Sequence, residues 1–261
     1  MKHVPTVARR ELRSLFVSPV AYAVLSLFAV VAGFFFVLFV SAFNEQLMRL
    51  QQFQAFDQLE QLNLSDHLIA YFYQQVLGLL AFVVPGITMG LFVAEKQNGT
   101  QELLMTSPLT IWDVVLGKFA AAAAFVAILV ALVGAYPALL FFYGDPEVGK
   151  TATGLLALLL VGWTFVAVGT FASSITRSQI VAVLITFVML IGLMMLPVIS
   201  MLGVLGAGGG AAAALAWLSP GEHFDPMLQG LVDTSDLAYF AVVIGSFLLL
   251  TKASVESVRW R

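Results

Sequence analysis

Long runs of apolar residues alternate with shorter polar connections along the whole chain. A helix needs about 20 mostly apolar residues to cross a membrane core of roughly 30 Å. Six runs meet this requirement, and the last of them is strongly apolar only as far as Thr251. The predicted spans are residues 20–43, 76–94, 119–143, 153–173, 180–202 and 237–255. The pattern predicts an all-α membrane protein with one six-helix transmembrane domain.

Three prolines lie inside these runs, at Pro85, Pro137 and Pro197. Prolines are tolerated in membrane helices because neighbouring helices can satisfy the freed carbonyls, so we expect kinks at these positions. The first run is too long for a signal peptide and lacks an A-x-A cleavage site. We therefore expect it to remain in the protein as a membrane span.

Composition agrees with this pattern. Hydrophobic residues make up 61% of the 261 positions and charged residues only 10%, with a mean hydropathy of +0.98. Soluble domains contain about 25% charged residues. The chain has no cysteine, which excludes disulfide bonds and thiolate metal sites.

The distribution of charge predicts an orientation. An even number of spans places both termini on one side, and that side carries ten of the twelve basic residues. Basic residues gather on the cytoplasmic side of membranes, so both termini are predicted to be cytoplasmic. The ten residues are Lys2, Arg9, Arg10, Arg13, Lys96, Lys118, Arg177, Lys252, Arg259 and Arg261.

The predicted spans contain no Asp, Glu, Lys, Arg or His as far as Thr251. Ion-coupled carriers keep ionisable groups at membrane depth, and an intramembrane acid–base enzyme needs them for catalysis. The sequence disfavours both classes and suits an amphipathic or lipid-like cargo, or helices that simply face lipid and each other.

Residues 1–18 form an amphipathic pattern at about 100° per residue. We expect a helix in the headgroup plane, with its basic half toward anionic lipid. Glu11 interrupts the apolar half, and either pairs with a nearby arginine or contacts a partner protein. Ser18 and Pro19 are expected to end this helix. The apolar half holds Val4, Val7, Ala8, Leu12, Leu15 and Phe16, and the basic half holds Lys2, Arg9, Arg10 and Arg13.

Residues 95–118 form a charged connection between the second and third spans that is far longer than antiparallel helices require. Asn98 is expected to cap a short helix that begins near Gly99, and Pro108 to end it. Thr110, with Asp113 three residues later, is the predicted start of the next helix, which would bring Lys118 near the headgroups. The alternative is an ordinary polar loop.

Three stretches, matched in order over nearly the whole chain, resemble the ABC-2 type permease family. They are MKHVPTVARRELRSLFVSPVAY, AEKQNGTQELLMTSPLTIWDVVLGK and LSPGEHFDPMLQGLVDTSDLAYF. The similarity is to gliding-motility GldF-like and NosY-like permeases, although Ala94 stands where the family often has an acidic residue. The central motif comprises Glu95, Lys96, Gly99, Thr100, Glu102, Leu103, Leu104, Thr106, Pro108, Gly117 and Lys118.

The resemblance implies that residues 95–118 hold a coupling helix and residues 1–18 a connecting helix beside it. The coupling helix would dock on a cytoplasmic ABC ATPase subunit, present in two copies. Glu95, Lys96 and Glu102 would grip that subunit through charge, and Leu103, Leu104 and Met105 would add apolar contacts. The resemblance also implies a second permease subunit, identical or paralogous. A periplasmic partner, GldG-like or other, is possible in this scheme, and no nucleic acid is expected.

In this scheme the chain binds no cofactor or metal and is not itself an enzyme, since ATP and magnesium belong to the ATPase subunit. The function expected is that of a permease subunit that moves an unidentified cargo. The alternative is a non-transporting membrane scaffold of a motility or cell-envelope complex, which passes ATPase-driven motion to periplasmic partners.

The stretch GDPEVGKT, residues 144–151, satisfies the phosphate-loop pattern G-x-x-x-x-G-K-[ST]. A phosphate loop needs a strand before it and a nucleotide-binding domain around it. Here it lies between two predicted spans on the external side, and Asp145 and Glu147 would repel phosphate. We therefore exclude it as an ATP site.

Two external segments complete the chain. Residues 44–75 are expected to form a bent hairpin over the outer mouth or a docking surface for a periplasmic partner. Residues 203–236 begin with a glycine-rich stretch that favours a flexible or re-entrant turn. Within it, Glu222, His223 and Asp225 are a possible metal site, the alternative being a solvated turn, because their spacing fits no firm ligand template.

Overall fold

The computed structural model of the chain describes residues 3–54, 63–100, 110–201 and 210–258. Every regular element in these ranges is helical, as the sequence predicts. The helices are α1 (Val4–Val17), α2 (Pro19–Gln52), α3 (Ala70–Thr88), α4 (Gly90–Gln97), α5 (Ile111–Leu140), α6 (Val148–Ile175), α7 (Gln179–Met201), α8 (Gly210–Trp217), α9 (Pro220–Leu228) and α10 (Thr234–Val258), with a π-helical turn at Ser65–Ile69 before α3.

Six helical segments in the described ranges are long and apolar enough to cross a membrane, which confirms the predicted number. They are α2, the unit formed by the π-helical turn with α3 and α4, and then α5, α6, α7 and α10. The chain is therefore a multi-pass membrane protein.

Most of these helices are longer than the apolar runs that predict them. At 1.5 Å per residue, the 34 residues of α2 extend about 51 Å, well beyond a membrane core of roughly 30 Å. The first part of the segment predicted to be an external hairpin, up to Gln52, thus continues the first span. Similarly, α5 begins at Ile111 rather than at residue 119, so its first two turns come from the segment between the spans.

The fourth span, α6, lies at the centre of the protein. Of the 18 most apolar consecutive residues of α6, 67% are buried inside the protein, compared with 17% in α2 and in α7. It packs against α3, α5, α7, α9 and α10. Close packing depends on small residues: a Cβ at Gly162 would lie 2.7 Å from Val126 Cγ1 on α5. The helices at the centre therefore surround α6, and α2 and α7 lie at the edge.

The up-and-down course of the chain gathers its charged connections at two ends. One end, here called the terminal end, holds α1, the last turns of α4, α6 and α10, and the first turns of α5 and α7. The opposite end holds the π-helical turn, α8, α9 and the first turns of α6 and α10. At the opposite end the Asn63 side chain donates a hydrogen bond of 2.6 Å to Glu147, and Ser65 Oγ accepts one of 2.9 Å from the Glu147 N–H.

Candidate functional site

The terminal end contains an ion cluster that is built from three helices around a buried lysine. Lys118, in the second turn of α5, is only 2% exposed, and its Nζ lies 2.7 Å from Glu95 Oε1 on α4. Glu11 Oε1 on α1 lies 3.5 Å from the same Nζ and 2.7 Å from Arg10 Nη2. Lysine is almost never buried unless it is paired. Two cations and two carboxylates balance in this group, named here the Lys118 cluster: Lys118, Glu95, Glu11 and Arg10.

Two predictions from the sequence concern residues of this cluster. The predicted local partner of Glu11, an arginine, is confirmed as Arg10, and Lys118 is a second partner that the sequence did not indicate. Lys118, which is predicted to lie near the headgroups, has its ammonium buried inside the protein, above the ring of Phe92 at 5.4 Å from its centroid.

Helix α1 is packed against the protein rather than lying on lipid alone. Val7 is buried against the start of α5, where a Cβ at Gly117 would lie 2.6 Å from Val7 Cβ. Glycine at this motif position therefore lets the two helices meet. The predicted end of α1 is confirmed, because Ser18 is its C-cap and Pro19 begins α2. The three described arginines of the basic half, Arg9, Arg10 and Arg13, are exposed.

Lys96 connects α4 to the end of α6. Its Nζ donates a hydrogen bond to the Ser174 carbonyl and a second, of 2.9 Å, to the Thr176 carbonyl. The last carbonyls of a helix have no partners within the helix, and a lysine can satisfy them. Ser254 Oγ on α10 donates to the same Ser174 carbonyl at 3.2 Å. The ends of three spans are thus joined at one point.

The backbone after Lys96 differs from the prediction. Asn98 is the C-cap of α4 rather than the N-cap of a new helix, and its N–H donates to the Ala94 carbonyl. Gly99 has a φ of +66°, the left-handed conformation in which helices commonly end, and the Thr100 N–H returns to the Glu95 carbonyl at 3.0 Å. The second span therefore continues to Gln97, and Gly99 and Thr100 form its end.

The predicted start of the next helix is confirmed. Thr110 is the N-cap of α5, and its hydroxyl accepts a hydrogen bond from the Asp113 N–H while the Asp113 carboxylate accepts one from the Thr110 N–H. This reciprocal pair is a capping box. The remaining predicted coupling residues lie outside the described residues: Glu102, Leu103, Leu104, Met105, Thr106 and Pro108.

The phosphate-loop pattern at residues 144–151 has a structural explanation. Lys150, which a phosphate loop would use to bind phosphate, lies in the first turn of α6. Its Nζ is 2.9 Å from Asp66 Oδ2 and 3.2 Å from Glu147 Oε1. The lysine joins the start of α6 to the π-helical turn, and the loop follows a helix rather than a strand.

Both predictions for the possible metal site at the opposite end are wrong, because its residues form neither a metal site nor a solvated turn. Glu222, His223 and Asp225 lie on helix α9, where His223 is buried while the two carboxylates are exposed. His223 Nδ1 lies 2.7 Å from Asp236 Oδ1 on α10, and Nε2 donates to the Trp217 carbonyl on α8 at 2.9 Å. Within the described ranges, no three His, Asp or Glu side chains converge to hold a metal.

Sequence reasoning missed the internal contacts of the predicted site. Glu95 and Lys96 were expected to grip a partner, and the structure shows both engaged within the chain. Their partners come from helices distant in sequence, so spacing gave no sign of them. The available signals were Glu11 within an apolar face and a lysine directly after Gly117, both unusual at a helix contact.

The sequence model of a family described as "ABC-2 family transporter protein" matches residues 5–256. Two relatives described as "Probable multidrug ABC transporter permease YbhR", from Escherichia coli strain K12 and Escherichia coli O157:H7, are each 26% identical to the chain over 211 residues. The match covers 75% of this chain and 51% of each relative, so the chain spans about half the length of these relatives.

Proposed function

The chain belongs to the ABC-2 family of transporter proteins, and we propose that it is the permease subunit of a transporter driven by a separate ATP-binding cassette subunit. In this proposal the chain provides the membrane path and holds no nucleotide, cofactor or metal. Two copies of the ATPase subunit bind ATP with magnesium and act on the terminal end of the permease.

The observation that carries the proposal is the Lys118 cluster. The segment between Asn98 and Thr110 joins α4 to α5 in sequence, and the Lys118–Glu95 ion pair holds these two helices together. Glu11 adds α1 to the same unit. A short segment on a rigid base can pass a push to several helices at once, as coupling requires. In the proposal, the coupling residues between Gly99 and Pro108 receive the push from the ATPase and pass it to α4 and α5, which the segment connects.

The charge distribution supports a cytoplasmic location for the terminal end. The exposed arginines Arg9, Arg10 and Arg13 lie there, together with Arg177 and Lys252. Positive charge on the cytoplasmic side is the general rule for membrane proteins, and basic residues on α1 suit anionic headgroups. We therefore propose an inner-membrane protein with both termini in the cytoplasm.

The least buried spans support a second permease subunit, identical or paralogous. In both α2 and α7, only 17% of the 18 most apolar consecutive residues are buried within one chain. An apolar cavity of about 640 Å³ opens between α1, α2 and α3, lined by residues such as Phe28, Phe82 and Phe125. We propose that the second subunit packs beside α2 and α7, and that this cavity contributes to a path for an amphipathic cargo. The description of the relatives as probable multidrug permeases is consistent with such a cargo. The likeness to GldF-like and NosY-like permeases, and a periplasmic partner, stay predictions.

The test is reconstitution of the chain in lipid vesicles with the ATP-binding cassette ATPase that we expect to co-purify with it. We expect the chain to bind the ATPase and to stimulate ATP hydrolysis, and we expect ATP to drive movement of a fluorescent amphipathic probe. Glu102→Arg should abolish the stimulation while leaving membrane insertion unchanged, because it reverses a charge in the coupling segment. Asp145→Arg, an exposed position at the opposite end, is the matched control and should have no effect.

Probe movement by the chain without any ATPase would contradict the proposal. Stimulated ATP hydrolysis that moves no amphipathic probe would instead favour the scaffold alternative, in which the chain only transmits motion.

A further inference from the structure

The second span has a one-residue break at Met89, between the end of α3 at Thr88 and the start of α4 at Gly90, although Met89 itself keeps helical backbone angles. A single hydroxyl from another helix bridges the interruption at Met89. Ser173 Oγ on α6 donates a hydrogen bond of 3.1 Å to the Met89 carbonyl and accepts one of 3.0 Å from the Phe92 N–H. Side chains inserted into a helix ladder are a known cause of helix breaks. Ser173 is fully buried, so both hydrogen bonds are shielded from water.

A second contact fixes the other end of α4 to the same helix. The Lys96 ammonium donates to the carbonyls of Ser174 and Thr176, directly after Ser173. Between these two anchors, Leu91, Phe92 and Val93 are buried, and α4 packs chiefly against α6. The eight residues of α4 are therefore attached to the end of α6 along their whole length.

The side of the break that faces away from α6 is open. Gly86, Met89 and Gly90 line the apolar cavity of about 640 Å³. A Cβ built at Gly86 or Gly90 would meet no atom within 4 Å. The break thus has two hydrogen bonds on one side and free space on the other, which gives α3 and α4 room to change their angle.

We propose that Ser173 and Lys96 are positioning residues for coupling, and that they make α6 rather than α3 the main receiver of movement from the segment after Asn98. This inference rests on the proposed function. If the movement followed the order of the chain, it would pass from α4 along the second span into α3. An unbroken helix transmits a push along its axis, whereas a break beside a cavity absorbs it as bending.

The route through α6 also explains how the movement reaches other spans. The carbonyl of Ser174 accepts hydrogen bonds from both Lys96 and Ser254, so α4 and α10 share one attachment point. The chain then turns through Thr176 and Arg177 directly into α7. A displacement of α4 is thereby delivered to the central span and to both of its neighbours.

The attachment is tested in the isolated permease with spin labels. The chain has no native cysteine, so Asn98→Cys and Ser178→Cys provide one label on the end of α4 and one after α6. Close labels broaden the electron paramagnetic resonance spectrum. We expect Ser173→Val with Lys96→Met to remove most of this broadening, because each hydrogen bond lost between α4 and α6 raises the detached fraction by up to about tenfold. Met89→Gly keeps the backbone carbonyl that accepts from Ser173 and loosens the chain where α3 meets α4, so it should leave the broadening unchanged.

Two further variants separate the hydroxyl from packing. Ser173→Thr has nearly the shape of Ser173→Val but keeps the hydroxyl, so it should retain the broadening. Ser246→Ala removes an exposed hydroxyl that bonds within its own helix, to the Val242 carbonyl, and is the control for serine loss in general. Retained broadening in the Ser173→Val, Lys96→Met variant, or its loss in Met89→Gly, would overturn the inference.

Coupling is then measured with the ATPase in vesicles. Stimulation of ATP hydrolysis should be lost in Ser173→Val, kept in Ser173→Thr and kept in Met89→Gly. The opposite order, with Met89→Gly inactive and Ser173→Val active, would show that α3 receives the movement. If the unmodified permease gives no stimulation, the proposed function is wrong and the coupling role fails with it, whereas the spin-label result still decides whether α4 is attached to α6.

Discussion

At the scale of single residues, the protein buries charge where its sequence suggests a surface. Lys118 follows a polar segment and precedes a long apolar run, which predicts a position near the headgroups. The structure instead surrounds its ammonium with Glu95 and Glu11, which come from two other helices. For Glu11 the sequence left a local arginine and a partner protein as alternatives, and Arg10 is the local partner. The Lys118 contacts were beyond prediction because they depend on how α1, α4 and α5 pack.

Lys118→Met should destabilise the protein, because it leaves Glu95 and Glu11 without their buried cation. Breaking a buried pair by removing one partner costs about 3–5 kcal/mol. The free energy of unfolding, measured in denaturant titrations in detergent, should fall by about this amount. Combining Lys118→Met with Glu95→Gln should cost less than the sum of the two single changes, since the second removes an uncompensated charge.

Lys252→Met is the matched control for this experiment. Its ion pair with Glu256, at 3.2 Å, is partly exposed, and pairs of this kind contribute about 0–1 kcal/mol. A Lys118→Met variant no less stable than Lys252→Met would contradict the structural importance of the Lys118 cluster.

At the scale of helices, local signals predicted starts and ends well, and contacts between helices decided the rest. The six spans, the end of α1 at Ser18 and the capping box of Thr110 are all visible in the sequence and confirmed. The break at Met89 is not visible, because Ser173 reaches it from another span. Asn98 was placed at the wrong end of a helix because asparagine suits both ends: it accepts N–H groups at a start and tolerates the last turn at an end.

Helices α8 and α9 show the same limit at the opposite end. The sequence predicts an external or re-entrant segment over residues 203–236, with His223 in a solvated turn or at a metal. Instead, His223 is 4% exposed and stacks on Tyr239, with ring centroids 3.9 Å apart. Its two ring nitrogens join α8 to α10 through Trp217 and Asp236. Burial of an aromatic ring against α10 is a tertiary effect that spacing alone does not reveal.

His223→Phe should therefore loosen α8 and α9 from α10 while keeping an aromatic ring at this position. Phe can still stack on Tyr239 but leaves Asp236, which is largely buried, and the Trp217 carbonyl without their partner. The loss of a hydrogen bond to a charged buried group costs about 1.5–3 kcal/mol. Proteolysis of segment 203–236 should become faster, and the free energy of unfolding should fall by about this amount.

His67→Phe provides the comparison, because His67 is an exposed histidine at the same end of the protein, with a hydrogen bond of 3.3 Å to the Asn63 carbonyl. It should leave both measurements near their unmodified values. Equal effects of the two substitutions would show that the His223 contacts do not hold these helices.

At the scale of the whole molecule, a buried central span lies between two specialised ends. Helix α6 is surrounded by other helices, and α2 and α7 remain at the edge. The terminal end joins α1, α4, α5, α6 and α10 through the Lys118 cluster, Lys96 and Ser254. Charge counting predicted which connections share this end, because basic residues follow a simple rule, but it did not predict that they would be interlocked. The arrangement matches a protein that receives movement at one end and passes it through its centre.

The most direct test of this account is site-specific photocrosslinking of the permease to its ATPase subunit in membranes. A photoreactive amino acid placed at Thr100, an exposed residue directly after α4, should crosslink to the ATPase. The same group at Asp145, exposed at the opposite end, should give no ATPase crosslink. A crosslink from Asp145 and none from Thr100 would contradict the central claim that the terminal end is where ATP-driven movement enters the protein.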